Sequence, residues 1–308
     1  MNNDDSQPSA IIRWLRLDQY EAEKSVTSHF VSSKALFLIR VPLALYSTVV
    51  LWVDIGWSIA TNEFRHFFAY FTHFTFIGLH AYLLASLYHN VRYLKSRPYH
   101  LKPQHAALKY LHVFLYHTVV TFNILTPVVY WLLLSGDLFS KNGVPVMDWW
   151  LNISLHGVSF FLMISEVIFA RMQMHVRMIL PVFSLVLVYM LMTFIIYGSE
   201  HWWVYSFLDW SQGPSAAIWY FAVSALVVTC FFLQVGIHAL RDRFAAVIVT
   251  NQTIEEKTVC GDTLDPKTHQ DSRFDSRTLL GEGGLESHIT INAPAPSIYK
   301  KDDDPVLP

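Results

Sequence analysis

Hydrophobic residues are concentrated in long runs along the chain, and short polar stretches separate these runs. Six runs stand out, near residues 35–60, 67–91, 110–135, 149–171, 176–199 and 216–240. Each run is about twenty residues or longer, which is the length that an α-helix needs to cross roughly 30 Å of hydrocarbon. Tryptophans lie near the ends of several runs, as is typical of segments that end at a membrane surface. The pattern predicts an all-α protein, a polytopic bundle of six transmembrane helices.

The two ends of the chain differ in character from the six runs. Residues 1–34 are mostly polar, and residues 251–308 contain 11 acidic and 6 basic side chains with few aromatic ones. Segments of this kind cannot bury enough apolar surface to fold alone. We therefore expect a cytosolic N-terminal segment (1–34), a transmembrane domain (35–245) and an acidic cytosolic tail (246–308), with both terminal segments disordered.

Basic residues are distributed unevenly among the loops. The loop 92–109 contains five lysines and arginines, whereas the loops 61–66 and 136–148 contain one each. Because Lys and Arg are enriched in cytosolic loops, we expect both termini to lie in the cytosol. The expected partners are membrane lipids rather than nucleic acid. The choice between endoplasmic reticulum and plasma membrane, and the oligomeric state, are left open.

Polar side chains interrupt the fourth run, and His156 is the most informative of them. Polar residues in membrane helices usually face the bundle interior and often mark a functional site, although interhelical hydrogen bonds can also account for them. At 1.5 Å per residue, His156 lies about 10 Å below the start of its run, and Thr72 lies about 8 Å below the start of the second run. A hydroxyl and an imidazole at matching depth predict a nucleophile and its general base.

Other polar residues are expected to have supporting or structural roles. Asn152 lies one turn from His156 and is expected to hold the imidazole or to polarise a carbonyl group. Glu166 lies about 15 Å deeper than His156, so we expect it to pair with another polar group near the cytosolic side. Arg40 and Asp54 lie near opposite ends of the first predicted helix, where snorkelling to the membrane surface is expected.

Three segments resemble motifs of the androgen-induced-gene family, which includes the androgen-dependent TFPI-regulating protein. The segment "WLNISLHG" (150–157) is similar to its L-N-x-x-x-H motif, and "WWVYSFLDW" (202–210) to its W-V-Y-x-F-L-[D/E] loop. The segment "YFTH" (70–73) resembles the site of its threonine nucleophile. The resemblance implies a multi-pass membrane hydrolase of fatty-acid esters of hydroxy fatty acids that uses no metal or other cofactor. Carried across, the nucleophile falls on Thr72 and the base on His156.

The chain also departs from this family. Thr75 stands where the family has an acidic residue, so Thr75 competes with Thr72 for the role of nucleophile. The expected substrate-binding or orienting residues are Asn152, Thr75, Tyr205 and Trp203.

Two other functions stay open from the sequence. A non-enzymatic membrane scaffold or regulator would use the same polar residues only to pack the bundle. A haem-binding transmembrane electron carrier would need two axial ligands at similar depth on facing helices, and His80 and His117 are candidates for such a pair.

Overall fold

The structure, a computed structural model, describes residues 9–96, 106–140 and 143–261. Regular structure within these ranges is helical throughout. The long helices are α1 (Ser33–Ala60), α2 (Phe71–Lys95), α3 (Ala106–Leu134), α4 (Val146–Phe169), α5 (Ile179–Glu200) and α6 (Pro214–Gly261). Shorter helical segments lie outside them, at Ala10–Trp14, Leu17–Gln19, Ala22–Ser25, Phe64–Ala69, Gly136–Ser140, Val176–Met178, Ser206–Leu208 and Trp210–Gln212.

The chain divides into two units, residues 1–258 and residues 259–308. Every site discussed below belongs to the first unit. Only the first three residues of the second unit fall within the described ranges.

The described helices indicate a multi-pass membrane protein, as the hydrophobic pattern predicts. Five of them, α1, α3, α4, α5 and α6, are long and apolar enough to cross a membrane. The predicted second span corresponds to α2, which has 25 residues but falls outside this set. Polar residues such as Thr72, His73 and His80 lower its hydropathy.

Two apolar clusters hold the long helices together. One lies among α1, α2, α3 and α4 and includes the fully buried Tyr82 and Tyr116, and the other joins α3, α5 and α6 around Phe231. Other large apolar side chains stay on the outside, such as Leu132 and Phe221, which are 76% and 78% exposed. An apolar exterior is expected where lipid tails, rather than water, surround a helix bundle.

The described N-terminal residues fold against the bundle, so the disorder expected for residues 1–34 does not extend to them. Val26 is completely buried. The backbone N–H of Arg171, just after α4, donates to the carbonyl oxygens of Lys24 and Thr27 at 3.1 and 3.2 Å. The loop after α4 thus supplies a hydrogen-bond donor for backbone carbonyl groups of the N-terminal segment, which that segment does not satisfy by itself.

At the other end of the chain, α6 continues beyond the predicted limit of the transmembrane domain. Its last residue is Gly261, so residues 246–261 are helical. The rest of the expected acidic tail, 262–308, lies outside the described residues, as do residues 1–8.

A buried ion pair connects α1, α2 and α4. Arg40 is 0% exposed, and its Nε and Nη2 atoms each donate to a carboxylate oxygen of Glu166 at 2.7 Å. Tyr82 donates to the same carboxylate at 3.2 Å, and Asn90 accepts a hydrogen bond from Arg40. The predicted pairing of Glu166 with a polar group is confirmed. The prediction that Arg40 snorkels is wrong, because a carboxylate on another helix satisfies its charge inside the bundle.

Candidate active site

A cavity of about 510 Å³ opens between the ends of α1, α2 and α4 and the loop before α6. It has a mixed lining, in which carboxylates, imidazoles, hydroxyls and an amide face the same space as aromatic and aliphatic groups. Four of the six predicted site residues line this cavity, namely Thr72, Asn152, His156 and Tyr205. Thr72 on α2 and His156 on α4, predicted to lie at matching depth, therefore line the same cavity.

Thr72 lies at the end of the bundle, in the first turn of α2. The second hydrophobic run was expected to form a helix from residue 67, but Phe64–Ala69 forms a separate 3₁₀ segment. Tyr70 then adopts an extended conformation, with φ of −85° and ψ of 130°, and α2 begins at Phe71. Thr72 is thus shallower than the expected 8 Å. The backbone N–H groups around Thr72 belong to the first turn of the helix, so they have no carbonyl acceptor within the helix.

Two tyrosines meet the beginning of α2. The N–H of Phe71 donates to the hydroxyl oxygens of Tyr189 and Tyr205, at 3.1 and 3.0 Å. Burial raises the pKa of Tyr205, although hydrogen bonds with Tyr189, the Phe71 amide and the Thr72 side chain act in the opposite direction. The Tyr205 phenol therefore stays protonated near neutral pH and contacts the proposed nucleophile. This loop residue thus lies beside Thr72 in the lining of the cavity.

His156 lies in a locally widened turn of α4. Residues Ser154–Val158 form a π-helical turn within the helix, a feature that occurs frequently at functional sites. A second π-helical turn, Tyr130–Leu134, ends α3 and lies opposite it. The rings of Tyr130 and His156 stack with their centroids 3.8 Å apart. The indole N–H of Trp131 donates to the His156 carbonyl at 3.0 Å, so the two turns are connected through both side chain and backbone.

The imidazole of His156 is 5% exposed, and its Nδ1 has no hydrogen-bond partner among the described residues. A buried polar atom without a partner is unusual and costs free energy, which makes this atom a candidate for contact with a substrate or water. Asn152 does not hold the ring as expected, because its amide donates to the carbonyl of Asp148 at 2.8 Å. Nor does a hydrogen bond join His156 to Thr72 within the described ranges, and what the two have in common is that both line this cavity.

Thr75 faces a different space. Its hydroxyl donates to the Thr72 carbonyl at 2.8 Å, and its side chain lines a largely apolar cavity of about 350 Å³ between α2, α3 and α5. Trp203, the remaining residue singled out from the sequence, lies against α5, where its ring stacks on Tyr197 with centroids 4.4 Å apart. Trp203 is absent from the lining of both cavities.

The sequence reasoning missed an Asp–His pair in the larger cavity. Asp54 was expected to snorkel, but it is only 6% exposed, and its Oδ2 lies 3.3 Å from Nε2 of His73. The two residues lie near adjacent ends of consecutive helices. The depth count that paired Thr72 with His156 would have paired them as well.

The two candidate haem ligands make contacts within the protein. Nδ1 of His80 is 2.9 Å from the Ser47 hydroxyl. Both ring nitrogens of His117 are engaged, one 2.7 Å from the Val113 carbonyl and the other accepting from the His175 backbone N–H at 3.0 Å. An axial ligand needs a free lone pair on nitrogen, so this geometry counts against His117 in that role.

No protein-family model, curated protein or solved structure matches this chain. The resemblance to the androgen-induced-gene family therefore rests on the three segments in which it was found.

Proposed function

We propose that this protein is an integral-membrane hydrolase of lipid esters, such as fatty-acid esters of hydroxy fatty acids. Thr72 is the nucleophile and His156 is the general base. One observation carries the proposal: these two residues, predicted as a pair, line the same partly polar cavity at one end of the helix bundle. The motif resemblance around Thr72, His156 and the 202–210 loop is the second support.

In the proposed reaction, neutral His156 removes the proton of the Thr72 hydroxyl as its oxygen attacks the ester carbonyl. The negative charge that develops on the carbonyl oxygen needs hydrogen-bond donors already in position. Tyr205 supplies a phenol O–H, and the first turn of α2 supplies amide groups at the positive end of the helix dipole. The bond between the carbonyl carbon and the alcohol oxygen then breaks, and the alcohol takes up a proton and leaves. Water attacks the acyl group on Thr72 and releases the acid, so the chemistry needs no cofactor.

The apolar cavity provides a place for the acyl chain of a lipid ester. A small space of about 50 Å³ adjoins both cavities, because it shares Thr72 and Tyr205 with the polar one and Phe71 and Tyr189 with the apolar one. At the outer side of the apolar cavity, Val188 is 61% exposed. A chain could therefore enter sideways from the bilayer, which fits membrane lipids as the source of substrate.

We further propose that α2 is a sixth membrane span and that both termini are cytosolic. With 25 residues, α2 is about 38 Å long, and it packs between α1 and α3. Basic side chains gather around the N-terminal segment at one end of the bundle, where Arg177 donates to the Trp14 carbonyl at 2.6 Å and Lys109 lies over the Tyr20 ring. Such an excess of positive charge marks the cytosolic side. Endoplasmic reticulum and plasma membrane both satisfy this arrangement.

The proposed topology has a direct test. Protease added outside sealed microsomes should remove an epitope placed at the C-terminus. An epitope that stays protected until detergent is added would reverse the orientation.

The proposed activity is tested with membranes that carry either the protein or its His156→Ala variant. A panel of lipid esters should include at least one that only the unaltered protein cleaves. If no ester is cleaved, and a mechanism-based probe for serine and threonine hydrolases does not label Thr72, the protein is a scaffold rather than a hydrolase.

A further inference from the structure

A second ionisable pair lies in the same cavity as Thr72 and His156. Asp54 on α1 places its Oδ2 atom 3.3 Å from Nε2 of His73 on α2. On the other side of the ring, Nδ1 of His73 is 2.5 Å from the carbonyl oxygen of Phe67. The Phe67 ring stacks on the imidazole, with centroids 4.0 Å apart and 5° between the planes. The histidine is thus fixed on three sides.

These contacts determine where the protons are. A carbonyl oxygen can only accept, so Nδ1 of His73 carries a hydrogen. The opposite nitrogen lies against Asp54, so either Asp54 is protonated and His73 is neutral, or Asp54 is ionised and His73 is protonated on both nitrogens. In both cases the pair holds one proton besides the one on Nδ1 (the shared proton) and has zero net charge, which avoids the cost of an isolated charge inside a membrane bundle.

The shared proton has no competing structural partner among the described residues. Asp54 Oδ2 makes no regular hydrogen bond there, since its contact with His73 is close but poorly aligned. One oxygen of the Asp148 carboxylate, which lines the same cavity, accepts a hydrogen bond from the Trp57 indole at 2.6 Å. The proton is therefore available to a molecule in the cavity.

We infer that the Asp54–His73 pair is the general acid that protonates the leaving alcohol, with Asp54, whose Oδ2 has no hydrogen-bond partner among the described residues, as the proton donor and His73 as its positioning residue. This inference rests on the proposed hydrolase function. It assigns separate tasks to two groups of the cavity, with His156 serving the nucleophile and the Asp54–His73 pair the leaving group. Such a division uses two groups that line one cavity from different helices.

The proton balance is complete. As the bond between the carbonyl carbon and the alcohol oxygen breaks, that oxygen takes the shared proton, and the pair becomes negatively charged. His156 meanwhile retains the proton from Thr72. In the second half of the reaction, water attacks the acyl group and returns a proton to the Asp54–His73 pair. Thr72 recovers its own proton from His156 as the acid departs, so each cycle consumes one ester and one water.

The test compares two esters of the same fatty acid. A p-nitrophenyl ester has a leaving group that departs without protonation, whereas an alkyl ester has a strongly basic one that needs a proton. We expect His73→Gln and Asp54→Asn to lower kcat/KM for the alkyl ester by about a hundredfold or more, the usual effect of losing a general acid. The p-nitrophenyl ester should lose no more than about threefold.

His80→Gln is the matched control. His80 lies two turns further along α2, bonds to Ser47 and does not line the cavity, so its replacement should affect neither ester selectively. Equal losses for both esters in folded His73→Gln and Asp54→Asn proteins would overturn the inference and leave the proposed hydrolase intact. If the unaltered protein cleaves neither ester, the proposed function fails, and this inference fails with it.

A measurement on the unaltered protein covers the case in which the variants do not fold. Across a series of alkyl esters, a general acid makes kcat/KM depend only weakly on the acidity of the alcohol. A steep dependence, with strongly basic alcohols leaving much more slowly, would contradict proton donation by the Asp54–His73 pair.

Discussion

The rings of Tyr130 and His156 are stacked almost perfectly parallel, with 3.8 Å between their centroids and 1° between their planes. The stack is formed by two π-helical turns on different helices, and it determines the direction of the proposed base.

Replacement of Tyr130 tests whether this stack positions His156. We expect Tyr130→Phe to retain most activity, because the ring remains, and Tyr130→Ala to lower kcat by about 10- to 100-fold, as for other small displacements of catalytic groups. The measurement is kcat and KM with one lipid ester, and the effect should fall on kcat. Equal activity of the two variants would show that the stack does not orient the base.

The two threonines of α2 should behave differently. Thr72→Ala should lose more than about a thousandfold in kcat, as expected for a nucleophile, while Thr72→Ser should keep part of the activity because the hydroxyl remains. Thr75→Ala should retain most activity, since its hydroxyl bonds to a backbone carbonyl and faces the apolar cavity. Turnover of the purified variants measures this. The reverse pattern would assign the nucleophile to Thr75, the alternative that the sequence leaves open.

The buried Arg40–Glu166 pair should contribute to stability and not to turnover. Glu166→Gln leaves the Arg40 charge without its counterion, and removal of one partner of a buried pair costs about 3–5 kcal/mol. Replacing both residues with leucine should cost less, because no unpaired charge remains. Thermal unfolding in detergent gives the comparison. Loss of turnover per folded Glu166→Gln molecule would instead connect this pair to the chemistry.

The apolar cavity should set a limit on chain length. A Cβ atom added at Gly78 would lie 3.7 Å from Val119 and 3.8 Å from Leu115, which are ordinary contacts, so Gly78→Leu should fit while filling part of the cavity. We expect long-chain esters to be cleaved more slowly and short-chain esters to be little affected. Gly198→Leu, on an open surface of α5, is the control. Uniform rates over all chain lengths would mean that the acyl chain lies elsewhere.

The end of the bundle that carries the N-terminal segment should weaken in acid. Burial lowers the pKa of His175, and the charges of Arg16 and Lys24 lower it further. At His175, the unfolded chain therefore binds a proton more readily than the folded one. Protonation of His175 then lowers the free energy of unfolding once the pH falls below its unfolded pKa of about 6.5, and it has no such effect well above that pH. Tm should decrease between about pH 7.5 and 5.5, and less so in His175→Gln. If Tm falls equally with pH in the unaltered protein and in His175→Gln, His175 is excluded as the cause.

Hydropathy and helix geometry were sufficient to predict the long helices and the presence of Thr72 and His156 at the same end of the bundle. The prediction was made even though α2 begins four residues later than expected, at Phe71. An error of four residues displaces a side chain by less than two helical turns. The cavity is large enough for Thr72 to line it at either depth.

Side-chain pairs between different helices could not be predicted from the sequence in the same way. Arg40 and Asp54 are on the same helix, and each is paired with a residue of another helix rather than with the membrane surface. Hydropathy indicates where a helix lies but not how it is rotated. The π-helical turn at His156 has no hydropathy signal either, because it depends on a local shift in backbone hydrogen bonding.

If α2 is the sixth membrane span proposed above, its start at Phe71 places Thr72 close to the boundary between hydrocarbon and water. The ester groups of bilayer lipids are held at the same boundary, so on the proposed function a lipid would reach Thr72 by lateral diffusion, without being extracted from the membrane. The rate would then follow the mole fraction of ester in the membrane surface. Adding an inert lipid would slow the reaction even though the total amount of substrate in the sample stays the same.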